Sequence, residues 1–288
     1  MGRFHRHADG TVHEHHHHDD AHVHLGDDGE ITIHSYTERE ELGDHSGYET
    51  GEQRIMVLED IFSENDRLAS ANRRDLDANG VFSVNLMSSP GSGKTELMRR
   101  LLERLHDTEH IGIIEGDIET SLDADRLDGF GAQISLLNTG HGFGGECHLD
   151  APMVANALSR LNLDELDLVL IENVGNLVCP AEFETGAHTK AMVFSITEGE
   201  DKPLKYPVMF ASVEAVFINK MDLADYLDFD MDLFLKNLRQ VNPTAEVFYL
   251  SAKTGDGIDD VVAWLTHERD HALGREHSHS PEPSHMEA

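Results

Sequence analysis

The segment Ser88-Ser89-Pro90-Gly91-Ser92-Gly93-Lys94-Thr95 follows the apolar run Val81-Phe82-Ser83-Val84-Asn85-Leu86 and precedes a stretch of helical periodicity. A strand, a glycine-rich turn and a helix in that order make a phosphate cradle. Backbone N–H groups of Gly91 to Thr95 converge on phosphate oxygens at the helix N-terminus, where the peptide dipoles favour negative charge. Lys94 would neutralise charge on the β- and γ-phosphates, and the Thr95 hydroxyl would ligate Mg²⁺. The first glycine of the usual pattern is here Ser88, so the motif reads Ser-x-x-x-x-Gly-Lys-Thr.

The strand-like run Ala215-Val216-Phe217-Ile218 delivers Asn219-Lys220-Met221-Asp222, and open α/β sheets bind ligands at the carboxyl ends of their strands. Asp222 is acceptor-only and can take both the N1–H and the N2 amino hydrogens of guanine, whereas adenine would leave the carboxylate unpaired. Lys220 can lay its methylenes over the ring, and Asn219 can tie this loop to the phosphate loop. After the run Val247-Phe248-Tyr249-Leu250 comes Ser251-Ala252-Lys253, where the Ala252 N–H is expected to donate to guanine O6. The three motifs together predict GTP rather than ATP.

Two further carboxylates fall at strand ends. Asp117 in Glu115-Gly116-Asp117 and Glu172 after Leu168-Val169-Leu170-Ile171 are expected, with Thr95, to hold Mg²⁺ directly or through water, and with Lys94 to serve hydrolysis. Asp123 and Asp125 are weaker candidates. No glutamine or arginine finger is evident, so slow intrinsic GTP turnover is expected.

Only two cysteines occur, Cys147 and Cys179, too few for a disulfide framework. Cys147 is followed by His148, and Cys179 lies just beyond Glu172. Two sulfurs and an imidazole suit Ni²⁺ or Zn²⁺, with a fourth ligand from water or a second subunit. Near the N-terminus His5, His7, His13, His15, His16, His17, His18, His22 and His24 alternate with acidic residues. Such a tract binds borderline divalent ions weakly and interchangeably, as an accessory store or delivery arm.

These residues need a scaffold. The remaining runs, Ile111 to Ile114, Ile134 to Leu137, Leu166 to Ile171 and Met192 to Ile196, alternate with helical stretches near Glu96 to His106, Ala124 to Asp128, Ala151 to Leu161, Met231 to Val241 and Ile258 to Leu265. That alternation predicts an α/β fold, a doubly wound and mostly parallel sheet of the P-loop NTPase kind. A flexible His-rich tail is expected over residues 1–50, an amphipathic helix within 51–80, the GTPase domain over 81–267, and a flexible C-terminal tail over 268–288. The chain has 288 residues, 22 Lys plus Arg against 55 Asp plus Glu, and a formal charge of −33. Such a balance disfavours nucleic acid and anionic membranes as partners and suits a surface adapted to a high-salt cytoplasm. No signal peptide and no apolar run approaching the ~18 residues of a membrane span is present, so a cytoplasmic protein is expected.

The chain resembles the hydrogenase nickel-incorporation GTPases, HypB, over roughly Ile55 to Leu265. The resemblance is carried by the phosphate loop, Glu115-Gly116-Asp117, Asn138-Thr139-Gly140, Cys147-His148-Leu149-Asp150-Ala151, Glu172-Asn173-Val174-Gly175-Asn176-Leu177-Val178-Cys179-Pro180 and Asn219-Lys220-Met221-Asp222-Leu223. It implies GTP-dependent delivery of nickel to the large subunit of [NiFe]-hydrogenase with a partner maturation protein. It also implies nucleotide- or metal-linked homodimers and an interfacial metal site built from Cys147, His148 and Cys179. Two departures stand out: His141 to Glu146 make a longer loop before Cys147 than the family usually has, and a cysteine-rich N-terminal nickel motif is absent. The alternatives are a urease nickel GTPase, which usually carries Cys-Pro-His where this chain has Cys147-His148-Leu149, and a metal-storage protein with a non-catalytic GTPase scaffold. Intact Lys94, Thr95 and Asp222 speak against storage.

Overall fold

The structure is a computed structural model, and it describes residues 51–116, 127, 129–137 and 147–275, together with four short strands nearer the N-terminus. Backbone contacts divide the chain into two units, Met1–Met56 and Val57–Ala288. In the first unit, β1 (Arg3–Arg6) pairs antiparallel with β2 (Val12–His15), and β3 (Ala21–Leu25) with β4 (Ile31–Ser35). His7, His16, His17 and His18 lie outside the described residues, as do the side chains of His5, His13, His15, His22 and His24.

The second unit is built on β5 (Phe82–Ser88), β6 (Ile111–Glu115), β7 (Gln133–Leu136), β8 (Leu168–Glu172), β9 (Thr189–Ser195), β10 (Ala215–Asn219) and β11 (Glu246–Tyr249), in the spatial order β11-β10-β9-β5-β8-β6-β7. Every ladder between these strands is parallel. Helices therefore cover both faces, and the central strands read as continuous apolar runs because neither side meets water. From β5 the chain winds out to β6 and β7 on one side, returns to β8, and then crosses to β9, β10 and β11 on the other. This reversal opens a crevice beyond the carboxyl end of β5, where residues 88–95 lie.

Helix α1 (Gly51–Asn79) leads into β5, and α2 (Lys94–Leu105) follows the phosphate loop. Then come α3 (Ala151–Leu158), two short helices α4 (Lys202–Lys205) and α5 (Pro207–Ala211), α6 (Met231–Val241) and α7 (Ile258–Ala272). The sequence reading ends the last helix at Leu265 and starts a tail after His267, but the helix runs on to Ala272. Its final turns are charged rather than apolar, and Arg269 anchors them on Glu109 at 2.5 Å. The helix expected at Ala124 to Asp128 lies outside the described residues apart from Leu127, which is buried.

From Val57 onward helix α1 belongs to the second unit, and within it polar side chains fasten the helix alongside its apolar residues. Asn65 donates to Glu184 O and accepts from Ala151 N, Asn72 donates to the carbonyls of Ala151 and Thr185, and the Arg73 Nε donates to Gly186 O. Gly186 has φ +91°, and a Cβ there would fall 2.5 Å from Ala69 O; the helix rests on bare backbone that only glycine can present. Leu76 and Ala69 are buried, while Ile61 stays exposed.

Candidate functional site

The phosphate loop is a glycine turn held from two sides. Gly91 and Gly93 take φ +73° and +98°, left-handed conformations that cost glycine little. A Cβ on Gly93 would lie 2.6 Å from Asn219 Nδ2. That close approach lets Asn219 donate to Ser92 O at 2.8 Å, while Lys220 Nζ donates to Gly91 O at 2.7 Å. Lys94, at the first position of α2, is buried, and its Nζ donates to Ser88 Oγ at 2.7 Å. Ser88, standing where the motif usually has glycine, thus supplies an acceptor to the lysine inside the cradle.

The base-reading loops meet at the ends of β10 and β11. Asn219 Oδ1 accepts the Ala252 N–H at 2.9 Å. This corrects the expectation that the Ala252 N–H serves guanine O6, because that donor is already used to tie the two loops together. Asp222 accepts from Ser251 Oγ at 2.7 Å and lies 3.6 Å from Lys253 Nζ, so its carboxylate is aimed before any base arrives. Arg100 of α2, a residue the motif reading passed over, donates to Ala252 O at 2.8 Å and Lys253 O at 2.7 Å. Residues 219–222, 251–253 and 91–94 thereby form one hydrogen-bonded rim. Only a fold could reveal Arg100, since its partners are far away in sequence.

At the foot of the phosphate loop, Thr95 Oγ1 donates to Glu172 Oε1 at 3.0 Å. Glu172 ends β8 beside Glu115, its register partner on β6, and both are buried. A hydroxyl and a carboxylate oxygen beside a phosphate cradle are hard oxygen donors of the kind Mg²⁺ selects, so these residues fit that ion. Asp117, Asp123 and Asp125 lie outside the described residues.

The two cysteines come together. Cys147 Sγ donates to Cys179 Sγ at 2.8 Å, and Cys147 Sγ is 3.7 Å from His148 Nδ1. One ligand atom from each of Cys147, His148 and Cys179 lies within 4.8 Å of the others, and all three residues are partly buried. Tetrahedral metal–sulfur bonds of ~2.3 Å would need the sulfurs about 3.8 Å apart, so the pair must open slightly to take an ion. The His148 ring stacks on Phe183 at 4.0 Å, and Phe183 leans on Phe62 of α1 at 5.2 Å. Asn176 bridges the two cysteine loops, donating to Cys147 O at 3.2 Å and accepting from Val178 N at 2.9 Å. Asn138 to Glu146, the long loop before Cys147, lies outside the described residues.

Phosphate and sulfur sites share the carboxyl edge of the sheet. The eight residues from Glu172 to Cys179 connect the Thr95 contact to the metal cluster along one continuous stretch of chain. Asn173 and Asn176 stand in that stretch, and sequence reasoning quoted both without giving either a role.

Comparison with known proteins agrees with this geometry. Residues 82–249 match the family model described as CobW/HypB/UreG, nucleotide-binding domain. The chain is 48% identical over 214 residues to the hydrogenase maturation factor HypB of Rhizobium leguminosarum bv. viciae, covering 74% of this chain and 70% of that protein. Among solved structures, the hydrogenase maturation factor HypB from Archaeoglobus fulgidus superposes with a TM-score of 0.67 at 36% identity, covering 72% of this chain and 99% of that one. HypB from Helicobacter pylori in complex with nickel gives a TM-score of 0.67 at 34% identity, covering 75% and 99%.

Proposed function

The chain belongs to the HypB family of hydrogenase maturation factors, within the CobW/HypB/UreG nucleotide-binding proteins, and on that footing we propose that it is a GTP-hydrolysing nickel metallochaperone acting on the large subunit of [NiFe]-hydrogenase. The observation that carries the reading is the meeting of Cys147, His148 and Cys179 a short stretch of chain beyond a Thr95–Glu172 contact at 3.0 Å. The solved relative in complex with nickel supports Ni²⁺ as the cargo, and the same donor set would also accept Zn²⁺.

In this reading Pro90, Gly91, Ser92, Gly93, Lys94 and Thr95 hold the phosphates. Asn219, Lys220 and Asp222, with Ser251 and Lys253, hold the guanine, and Ala252 ties their loops together through Asn219. Lys94 leaves Ser88 Oγ for the β/γ-phosphate oxygens. Thr95, Glu172 and Asp117 would hold Mg²⁺, the Thr95 hydroxyl being released from Glu172 to do so, and the two carboxylates would serve hydrolysis beside it. The charge neutralisation that phosphoryl transfer needs comes from the Mg²⁺ held by these oxygens. Cys147, His148 and Cys179 offer three donors, and a second copy of the chain can supply the fourth, which makes a homodimer the proposed working form. A partner maturation protein and a cytoplasmic setting complete the proposal. Among the described residues, no helix is long and apolar enough to cross a membrane.

The test is nickel titration of Cys147→Ala and Cys179→Ala in GDP and GTP-analogue states. Each is expected to weaken nickel binding more than about 100-fold, since even outer-shell partners of a metal site are worth roughly 10–100-fold. Wild-type affinity in either variant would exclude this cluster as the nickel site.

A further inference from the structure

A nucleotide site and a metal site on one rim exchange information only if some rigid contact carries displacement between them. One side chain has the required placement. Asn173, the residue after Glu172, is fully buried. Its Oδ1 accepts two backbone N–H groups, from Leu149 at 3.0 Å and from Val174 at 2.9 Å. Its Nδ2 donates to Asn85 Oδ1 of β5 at 3.2 Å, and its own N–H donates to Leu86 O at 3.0 Å. Leu149 directly follows His148. Its side chain is buried against Gly116, where an added Cβ would lie 2.6 Å from Leu149 Cδ2, and Gly116 N donates to Glu172 O at 3.0 Å.

The Cys147-His148-Leu149 segment is therefore fastened to the end of β8 at two points, a polar one through Asn173 and an apolar one through Leu149 and Gly116. Asn176 does something different. It spans from Cys147 O to Val178 N, joining one cysteine loop to the other.

Resting on the nucleotide-and-nickel reading above, we propose that Asn173 is the positioning residue that couples the two sites, while Asn176 sets the spacing of the sulfur pair in every nucleotide state. When Thr95 exchanges Glu172 for the magnesium–nucleotide complex, the end of β8 loses one of its fixed contacts and shifts. Asn173, whose amide is bonded to Leu149, moves the metal-ligating segment with it. Buried hydrogen-bonded groups transmit such shifts because the close-packed interior around them has no slack to absorb displacement.

The experiment measures nickel affinity by calorimetry in the presence of Mg²⁺, with GDP and with a non-hydrolysable GTP analogue, on wild type and three variants. Wild type is expected to show a ratio of about fivefold or more between the two states, the lower end of typical coupling between sites. Asn173→Ala should bring that ratio to about one. Asn173→Asp should keep it, because a carboxylate oxygen still accepts the Leu149 and Val174 N–H groups, and the Asn85 Nδ2, a buried donor with no hydrogen-bond partner, can turn to meet it. Asn176→Ala should weaken nickel in both states by the same factor and leave the ratio intact. Should Asn173→Ala fail to fold, Asn173→Ser, which keeps a small polar group but lacks the reach to Leu149, replaces it with the same expected loss of ratio. A wild-type ratio retained in the Ala or Ser variant overturns the proposal alone, as does loss of the ratio in Asn173→Asp. A wild-type ratio of one overturns the parent reading and this proposal together.

Discussion

Asp222 is the residue on which the proposed base selectivity turns. Ser251 Oγ holds its carboxylate at 2.7 Å, so both oxygens are oriented in advance and a purine must match an acceptor-only group. Asp222→Asn presents one acceptor and one donor, which pairs with xanthine and opposes the guanine amino group. Competition binding should show GTP affinity falling at least tenfold, given ~1.5–3 kcal/mol for hydrogen bonds to charged groups, with xanthosine triphosphate gaining. Unchanged preference for GTP would remove Asp222 from the base site. Much of this site was legible from residue types alone. Lys94, Thr95 and Asp222 do chemistry that few other side chains can do, and they sit in loops whose flanking runs announce strand ends. Arg100 and Asn173 were not legible in the same way, because each acts on partners that only the fold brings near, and Ser88 was legible only as a departure from the motif, not as the acceptor for Lys94. The Ala252 N–H went astray for the same reason: its acceptor, Asn219 Oδ1, belongs to a different loop.

At the scale of elements, one cluster locks α1, β5 and β9 together and carries a pH signature. The His188 side chain is only 2% exposed; its Nε2 lies 2.9 Å from Asp77 Oδ1, and its Nδ1 receives the Ser83 N–H at 3.1 Å. Because Nδ1 is an acceptor, the ring is the neutral tautomer with its proton on Nε2, donated to Asp77. Burial lowers the His188 pKa, Asp77 opposes that shift, and the nearby Arg73 charge adds to it. A histidine whose folded pKa lies below its unfolded value of about 6.5 is protonated first in the unfolded chain, so the unfolded state binds more protons as pH falls. Its contribution to stability is complete above that value and shrinks as pH drops toward the folded pKa. Melting temperature should therefore decline more steeply on acidification below about 6.5 in wild type than in His188→Gln, and equal slopes would deny His188 this role. The buried strands were readable because their apolar runs are continuous. The short helices α4 and α5 were not, since Pro203 and Pro207 start them and neither is long enough to display a period. The last turns of α7 also escaped, being held by charge through Arg269 and Glu109 rather than by an apolar face.

For the whole molecule, a formal charge of −33 means self-repulsion opposes the compact state, and salt relieves it because the screening length falls from ~10 Å at 0.1 M to ~3 Å at 1 M. Melting temperature should climb with KCl into the molar range, and a stability indifferent to KCl would end the reading of the surface as adapted to high salt. The doubly wound order of strands brings three stretches distant in sequence, residues 88–95, 147–149 and 172–179, to one edge of one sheet, and the account depends on that convergence. Linkage demands that if nucleotide state changes nickel affinity, nickel changes nucleotide affinity by the same factor. The most direct test is the affinity for a non-hydrolysable GTP analogue with Mg²⁺, measured with and without saturating nickel. The account predicts a difference of about fivefold or more, equal to the factor by which the analogue shifts nickel affinity. Identical affinities with and without nickel would contradict it.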